Sequence, residues 1–324
     1  MKLVIFIPCL NEEETLPLVF ETIPKKIPGI DEIEVIIVDD GCTDNTVEIA
    51  RRLGVKHFVH HVKNKGLAFS FRDGIRKSLE LGADIIVLTD GDNQYPQERI
   101  PDLIRPIQDG KADIVIADRQ ITSIEHFSAS KKLLQKVGTW VLNKAAGTNV
   151  PDGTSGFRAY SKQAAIELNL ITRYSFGMET IIQAGNKRQA IATITIKTNP
   201  KTRDSRLMKS NLGHARRSGI AIMRGFMMYN PYGIFVTLGI ILLIAGAIPF
   251  LHYVYLDITT SHANGPHHLQ SLIIGAVLLN ASFIAFTLGF VADLIRINRS
   301  LIEDSLDIIR NMEYKSKQTH SKEE

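Results

Sequence analysis

The sequence predicts an α/β domain with a mostly parallel sheet, followed by two helices that cross a membrane. Short apolar runs rich in β-branched residues alternate with helical patterns over residues 3–119, which is typical of parallel strands joined by helices. Charged residues then vanish from two late runs, each longer than the roughly 20 residues that span a hydrocarbon layer. Acidic side chains also recur directly after the predicted strands, at the edge where open parallel sheets bind ligands.

The helical patterns have recognisable start and stop residues. The first follows Asn11 as an N-cap, where three glutamates favour the positive end of the helix dipole. The next two cover residues 43–53 and 66–81, and a glycine directly after each is typical of a helix C-terminus. A later pattern contains Trp140, the only tryptophan, which we predict to lie in the core. The predicted strands cover residues 3–7, 33–38, 55–60, 85–89, 114–117 and 191–197.

The fourth predicted strand ends abruptly in an acidic turn. Asp90 and Asp92 flank Gly91, which lets the chain turn where a side chain would crowd a ligand. Two carboxylates on one turn, with the amide oxygen of Gln94, are hard ligands that suit Mg²⁺ or Mn²⁺ carrying a diphosphate. Acidic residues also follow strands for solvation alone, so the metal hypothesis depends on the rest of the chain.

Other polar residues follow neighbouring strands and therefore meet the same edge. At least one of Asp39 and Asp40 is a candidate ligand for a base or ribose, and the alternative is that they cap the next helix. Residues 63–66 form a basic turn that fits either a phosphate at a helix N-terminus or plain solvation. This edge is predicted to gather Pro8, Asp39, Asp40, Asp90, Asp92, Asp118 and Arg119.

Two later loops carry further polar groups. The glycine-punctuated loop 151–158 holds a carboxylate, a hydroxyl and a guanidinium, and precedes another strand, so it can close over the ligand edge. The loop 199–206 is basic and suits phosphate, because arginine offers a fork of donors.

Composition excludes several classes of function. A net charge of +4 is too small to indicate binding to nucleic acid, and two cysteines at predicted strand ends give no disulfide framework. The N-terminus lacks the features of a secretory signal and fits a buried strand. No dinucleotide-binding glycine motif follows the first strand, and no P-loop sequence occurs.

The membrane prediction rests on residues 232–256 and 269–292, which contain no Asp, Glu, Lys or Arg. Basic residues precede the first run and follow the second, whereas the connector lacks Lys and Arg, so the positive-inside rule places the N-terminal domain and both termini in the cytoplasm. Residues 207–229 read as a basic amphipathic helix at the membrane surface, or as a topology signal. We expect segments 1–206 (cytoplasmic domain), 207–229 (juxtamembrane), 230–296 (transmembrane hairpin) and 297–324 (C-terminal helix and polar tail).

Taken together, these motifs resemble the family 2 glycosyltransferases of GT-A fold, the nucleotide-diphospho-sugar transferases. The resemblance is to membrane-anchored polyprenol-phosphate glycosyltransferases, such as the dolichol-phosphate mannose synthases, and it covers nearly the whole chain. It is carried by the order and spacing of residues 7–12, 38–41, 64–66, 90–94, 155–158 and 203–206.

The resemblance implies a role for each candidate residue. Nucleotide-sugar contacts fall on Pro8, Glu12, Val38, Asp39, Asp40, Asp90 and Gly91, and metal contacts on Asp90, Asp92 and Gln94. The lipid phosphate and the donor diphosphate would be bound by Arg119, Ser155, Arg158, Arg203 and Arg206. Asp92, Asp152 and Arg119 would serve catalysis, with Asp152 either positioning a group or assisting as a base.

By the same resemblance, the protein would transfer a hexose from a UDP- or GDP-linked sugar to a polyprenyl phosphate, dolichyl or undecaprenyl, with inversion. The cofactor would be Mg²⁺ or Mn²⁺. The protein would reside in the cell membrane and could form a homo-oligomer. Two alternatives stay open. A processive polysaccharide synthase would carry a Gln-x-x-Arg-Trp motif, whereas the single Trp140 follows a threonine. A membrane-tethered nucleotide-sugar binding protein would have little need of a metal-centred site.

Overall fold

The computed structural model describes residues 1–120, 129–170, 176–200, 231–259 and 269–323. The chain divides into two compact units. The first comprises Met1–Gly225 and Leu306–Glu324, and the second comprises Phe226–Ser305.

The first unit is built on a seven-stranded sheet in the order β3-β2-β1-β4-β6-β5-β7. All neighbouring strands are parallel except β6, which runs antiparallel to both β4 and β5. The strands are β1 (Lys2–Cys9), β2 (Glu32–Asp39), β3 (His57–His60), β4 (Ile85–Leu88), β5 (Ile114–Asp118), β6 (Arg158–Ser161) and β7 (Ile191–Thr195).

Helices cover the sheet, so its central strands are buried on both faces. Leu3 to Ile7 of β1 and all of β4 are fully buried, which explains why both read as uninterrupted apolar runs. The helices of this unit are α1 (Leu16–Thr22), α2 (Thr46–Arg52), α3 (Leu67–Glu80), α4 (Ile100–Gln108), α5 (Ala129–Ala146), α6 (Lys162–Ile166) and α7 (Phe176–Asn186).

The predicted α/β class is confirmed. Each of the six strands predicted from the sequence is present, with shifted ends. Three expectations were wrong. Asn11 is not an N-cap, because it adopts a left-handed conformation at φ 58° and α1 starts only at Leu16 after Thr15. Trp140 is not in the core, since 67% of it is exposed. The polar tail from Lys315 was expected to be disordered, but it is helical as far as Glu323.

The second unit contains α8 (Pro231–Thr259) and most of the apolar part of α9 (Leu269–Glu323). Both helices are long and apolar enough to cross a membrane. Glycines allow their backbones to approach closely, since a Cβ at Gly246 would lie 2.9 Å from the Leu279 nitrogen. The Ser282 hydroxyl also donates to the Gly239 carbonyl at 2.8 Å.

The last part of α9, from Leu306, belongs to the first unit and is fastened there by polar contacts. Lys187 Nζ lies 2.5 Å from a carboxylate oxygen of Asp307. Arg310 donates to the carbonyls of Ile166 and Leu168 at 3.1 and 3.0 Å. These carbonyls end α6 and the turn after it, so Arg310 satisfies groups that a helix C-terminus leaves open.

Candidate active site

The sheet topology brings distant parts of the chain to one edge. The parallel strands β1, β2, β4 and β5 all end there. Because β6 runs the other way, its first residue, Arg158, lies beside Leu88, the last residue of β4. The loop before β6 therefore reaches the carboxyl edge of the sheet. The predicted site residues of this loop lie there together with the residues that follow the parallel strands.

The acidic turn after β4 is held by hydrogen bonds on both sides. An Asp92 carboxylate oxygen accepts from the backbone nitrogen of Gln94 at 3.1 Å, which closes a tight turn. The Thr15 hydroxyl lies 2.7 Å from the carbonyl oxygen of Gly91 and 2.9 Å from a Glu12 carboxylate oxygen. This contact fixes the turn to the segment that follows β1. Thr15 was not anticipated from the sequence.

Gly156, in the loop before β6, lets that loop pack against the acidic turn. A Cβ at this position would lie 3.0 Å from Asp90 Oδ2 and 3.2 Å from the Tyr95 hydroxyl oxygen. The Gly156 nitrogen donates to that hydroxyl at 2.8 Å, and the Tyr95 ring stacks on Phe157 at 5.3 Å. Burial raises the pKa of Tyr95 to about 12, so the phenol is neutral at physiological pH.

Arg119 and Asp152 form an ion pair in the interior of this edge. Arg119 Nε and Nη2 donate to the two carboxylate oxygens of Asp152 at 2.7 and 3.1 Å, and Asp152 is fully buried. Arg119 Nη2 also donates to the Thr154 hydroxyl at 2.6 Å, and the Thr154 nitrogen donates to Asp152 at 3.0 Å. Burial alone would raise the pKa of Asp152, but the charge and hydrogen bonds of Arg119 hold it below the usual value.

Ser155 lies next to this pair and is almost completely buried. Its hydroxyl oxygen meets no hydrogen-bond partner among the residues that the structure describes.

Arg158 is placed differently from the expected phosphate contact. Its side chain is fully buried, and its guanidinium donates to the carbonyls of Ser155, Gly153 and Gly177 at 2.7 to 3.0 Å and to the Thr180 hydroxyl at 2.8 Å. These bonds tie the loop before β6 to α7. We therefore regard Arg158 as a residue that holds the loop, and not as a phosphate ligand.

Asp39 and Asp40 are also engaged inside the protein. Asp40 accepts from the backbone nitrogens of Lys65 and Gly66 at 2.8 and 2.9 Å and contacts the buried ring of His61 at 2.8 Å. Residues 63–66 were considered for binding a phosphate or for solvation. The structure shows that the backbone nitrogens of residues 65 and 66 are bound instead to a carboxylate of the chain itself.

Asp39 accepts from the backbone nitrogen of Cys42 at 2.7 Å and contacts His60 at 3.0 Å. Burial opposes ionisation of Asp39, yet the Cys42 and His60 hydrogen bonds lower its pKa. Pro8 and Val38 are paired in the register of β1 and β2, and Asp39 directly follows Val38. All three therefore lie at the carboxyl edge of the sheet.

The donor set at the acidic turn fits a divalent cation shared with a ligand. Asp90, Asp92 and Gln94 are half-buried and supply hard oxygens. No group of three or more His, Cys, Asp or Glu residues that could hold a metal occurs among the described residues. Magnesium commonly uses one or two carboxylates together with substrate phosphates, so the turn suits a cation that arrives with a diphosphate.

The other predicted contacts lie outside the described residues. These are Arg203, Arg206 and the juxtamembrane segment 207–229.

Residues 4–168 match glycosyl transferase family 2. The undecaprenyl-phosphate mannosyltransferase of Micrococcus luteus is 29% identical over 187 residues, which is 55% of this chain and 75% of that protein. The UDP-N-acetylglucosamine--dolichyl-phosphate N-acetylglucosaminyltransferase of Methanococcus voltae is 30% identical over 217 residues, covering 60% of this chain and 84% of that protein.

Among solved structures, the chain is similar to glucosyl-3-phosphoglycerate synthase from Mycobacterium tuberculosis in complex with Mn²⁺, UDP-glucose and phosphoglyceric acid. The TM-score is 0.55 at 23% identity, and the match covers 69% of this chain and 79% of that chain. This likeness confirms the GT-A fold of the first unit.

Proposed function

The chain belongs to glycosyl transferase family 2, and on that premise we propose that it transfers a hexose from a nucleotide-diphosphate sugar to a polyprenyl phosphate. The observation that carries the proposal is the meeting of the Asp90–Asp92 turn with the Arg119–Asp152 pair across the loop at Gly156. The carboxylates that would bind a metal-bound diphosphate and the arginine that would bind a phosphate therefore lie at the same edge of the sheet. The relatives named for transfer to undecaprenyl and dolichyl phosphate support the acceptor class.

The donor would be held by the first half of the edge. Pro8, Glu12, Val38 and Asp39 would line the nucleoside end, and Asp90 would face the sugar and diphosphate. Gly91 would support the turn, because its backbone is buried against Glu12 and Cys9. Asp40 would act indirectly, because its carboxylate holds residues 65 and 66 in place. Mg²⁺ or Mn²⁺ at Asp90, Asp92 and Gln94 would neutralise the diphosphate charge that grows as the sugar–phosphate bond breaks.

The acceptor needs no strong base. A phosphate monoester has a second pKa of about 6, so its oxygens are largely anionic at neutral pH. Asp152 is therefore assigned a positioning role: it fixes Arg119 through two hydrogen bonds, and its lowered pKa keeps it charged. Arg119, Ser155 and, outside the described residues, Arg203 and Arg206 would contact the phosphates.

The stereochemical outcome follows from the geometry of a single displacement. An anionic oxygen attacks the sugar C1 from the face opposite the leaving nucleoside diphosphate, so an α-linked donor gives a β-linked lipid product. Stabilisation of the leaving group by fixed charges would supply most of the rate enhancement, since that charge is greater in the transition state than in the bound donor.

The proposed reaction takes place at a membrane, which the two long apolar helices support. With α8 and α9 crossing the bilayer, a multi-pass protein would keep the first unit and both termini in the cytoplasm, as the distribution of Lys and Arg indicates. The acceptor phosphate lies at the same surface, so anchoring raises the rate at which enzyme and lipid meet.

The test is transfer from a panel of labelled UDP- and GDP-sugars to polyprenyl phosphate by the purified full-length protein, with Mg²⁺, Mn²⁺ or a chelator. We expect one donor to give a chelator-sensitive sugar-phosphate lipid, and Asp92→Ala to abolish the product. Asp109→Ala is the matched control, because Asp109 is an exposed residue just after α4. Turnover that survives both the chelator and Asp92→Ala would contradict the mechanism.

A further inference from the structure

His61 is a buried histidine at the carboxyl edge of the sheet, directly after β3. The register of β2 and β3 pairs Asp39 with His60, and the His61 nitrogen donates to the Asp39 carbonyl at 2.9 Å, so the ladder continues one residue beyond β3. Successive side chains along a strand point to opposite faces. His60 therefore meets Asp39 on one face of the sheet. On the other face, His61 meets Asp40.

The His61 ring lies between two carboxylates from different elements. Nδ1 lies 2.8 Å from Oδ1 of Asp40, which follows β2, and Nε2 lies 3.1 Å from Oδ2 of Asp73 in α3. Only 2% of the His61 side chain is exposed. Asp40 is an acceptor in its bonds to backbone nitrogens, so the hydrogen of its contact with His61 is carried by Nδ1. The ring thus joins the end of β2 to α3.

Asp40 in turn holds the basic loop 63–66. Its two carboxylate oxygens accept from the backbone nitrogens of Lys65 and Gly66 at 2.8 and 2.9 Å. Oδ1, the oxygen that accepts from Lys65, is also the oxygen that contacts His61. The ring therefore fixes the rotation of a carboxylate on which two backbone nitrogens of the loop depend.

The loop 63–66 lies beside the residues assigned to the donor. A Cβ at Gly41 would lie 2.8 Å from the Asn64 nitrogen, so the loop packs directly on the backbone that follows Asp40. Lys63 and Lys65 are exposed on this loop. The position of the loop therefore decides where two ammonium groups lie relative to a nucleoside diphosphate bound at this edge.

We propose that His61 is a positioning residue for donor binding. Through Nδ1–H it orients Asp40, and through Asp40 it holds the loop 63–66 at the donor end of the site. Asp73 holds the ring from the side of α3. Because His61 is buried, it acts through Asp40 and not by contact with the donor. The inference rests on the proposed function, since it assigns the loop to the nucleotide-sugar donor of that reaction.

Two substitutions separate the contributions of the two ring nitrogens. The amide nitrogen of asparagine lies as many bonds from Cβ as Nδ1 of histidine, and that of glutamine as many as Nε2. His61→Asn therefore keeps the donor to Asp40, whereas His61→Gln keeps only the group that faces Asp73. If His61 only stabilised the fold, nucleotide affinity would not depend on which of the two nitrogens is kept.

The first measurement is calorimetric titration of UDP and of GDP, each with Mg²⁺, into the purified full-length protein. For the nucleotide that the wild type binds, we expect His61→Gln to raise Kd at least about tenfold, the effect of losing one hydrogen bond to a charged group. His61→Asn should stay within about threefold of the wild type.

The second measurement is hydrogen exchange of the nucleotide-free proteins. The amides of Lys65 and Gly66 should exchange faster in His61→Gln than in His61→Asn, because their acceptor is no longer held. Asp73→Ala changes a partly exposed position and removes the support of the ring without touching Asp40. It should raise Kd about threefold, so it tests the proposal even if His61→Gln does not fold.

His57→Asn and His57→Gln are the matched controls. His57 lies at the opposite end of β3, where its Nε2 is 3.3 Å from Glu34 and the side chain is partly exposed. Both variants should leave the nucleotide Kd and the exchange of the loop amides as in the wild type.

Equal nucleotide affinities of His61→Asn and His61→Gln would overturn the proposal. Equal exchange of the Lys65 and Gly66 amides in these two variants, or a wild-type Kd in Asp73→Ala, would also overturn it. A wild type that binds neither UDP nor GDP would instead overturn the proposed function. The exchange experiment needs no nucleotide, so it separates these two failures.

Discussion

Arg119 and Asp152 lie 33 positions apart in the chain, yet their side chains form a two-pronged ion pair with N–O distances of 2.7 and 3.1 Å. Asp152 is fully buried and Arg119 nearly so. A buried pair of this geometry contributes little net stability, but loss of one partner leaves the other as an uncompensated buried charge. The pair therefore links the end of β5 to the loop before β6.

Asp152→Asn should lower the free energy of unfolding by about 3–5 kcal/mol at neutral pH, because it leaves the Arg119 charge unpaired. The loss should also depend on pH. Since the folded-state pKa of Asp152 lies below its ordinary value of 3.8, the stabilisation is present above pH 3.8 and disappears as the pH falls through the folded-state pKa. Chemical unfolding of both proteins from pH 7 downwards measures this. A wild-type advantage that persists undiminished in acid would contradict the assignment.

Gly156→Ala should reduce transfer at least tenfold while the protein stays folded. The added methyl would sit 3.0 Å from an Asp90 carboxylate oxygen and 3.2 Å from the Tyr95 hydroxyl, so the loop or the acidic turn has to move. Gly138→Ala is the matched control, because no atom lies within 4 Å of a Cβ there. Steady-state kinetics with thermal unfolding as a check on folding would compare them, and equal activity of both variants would refute the close contact.

Arg158→Lys should destabilise the protein by roughly 2–4 kcal/mol even though the charge is kept, since lysine cannot reach all the acceptors that the guanidinium fork reaches. Arg76→Lys, on the exposed side of α3, should cost less than about 0.5 kcal/mol. Thermal unfolding followed by circular dichroism measures the difference. If Arg158→Lys unfolded like the wild type and only the affinity for the acceptor fell, the phosphate-binding assignment would have to be restored.

Gly246→Val should weaken the pairing of α8 with α9, because a side chain there meets the Leu279 backbone at 2.9 Å. Ala245→Val, at the neighbouring exposed position of the same helix, should be tolerated. Thermal inactivation of the detergent-solubilised protein separates the two. Equal half-lives would indicate that the helices do not depend on this close approach.

Most of the sheet could be predicted because burial leaves a direct trace in the sequence. Strands β1 and β4 are covered on both faces, so each is a continuous apolar run whose end is marked by polar residues. The acidic turn and the neighbouring strand ends were predictable for the same reason. The direction of β6 was not, since a four-residue strand carries no signal that distinguishes parallel from antiparallel pairing.

The residues that differ from expectation share one property: their environment depends on distant segments. The pattern around Trp140 identifies a helix but not which face is buried. Arg158 has the chemistry of a phosphate ligand, yet its guanidinium is bound by two carbonyls of the loop before β6 and one carbonyl of α7. Tyr95, Thr15 and Thr154 make hydrogen bonds to residues distant in the sequence, and no local sequence motif predicts these contacts.

The position of β6 in the described sheet also constrains the order in which the protein folds. Strands β3, β2, β1 and β4 form one block, β5 and β7 form another, and β6 alone hydrogen-bonds to both. The first block can assemble as soon as its residues leave the ribosome, whereas β5 can join it only after Arg158–Ser161 has been made, and β7 pairs with β5 later still. Arg119 would therefore stay unpaired and hydrated until the segment that carries Asp152 and β6 adds to β4, so this short strand has to be in place before β5 and β7 can complete the sheet.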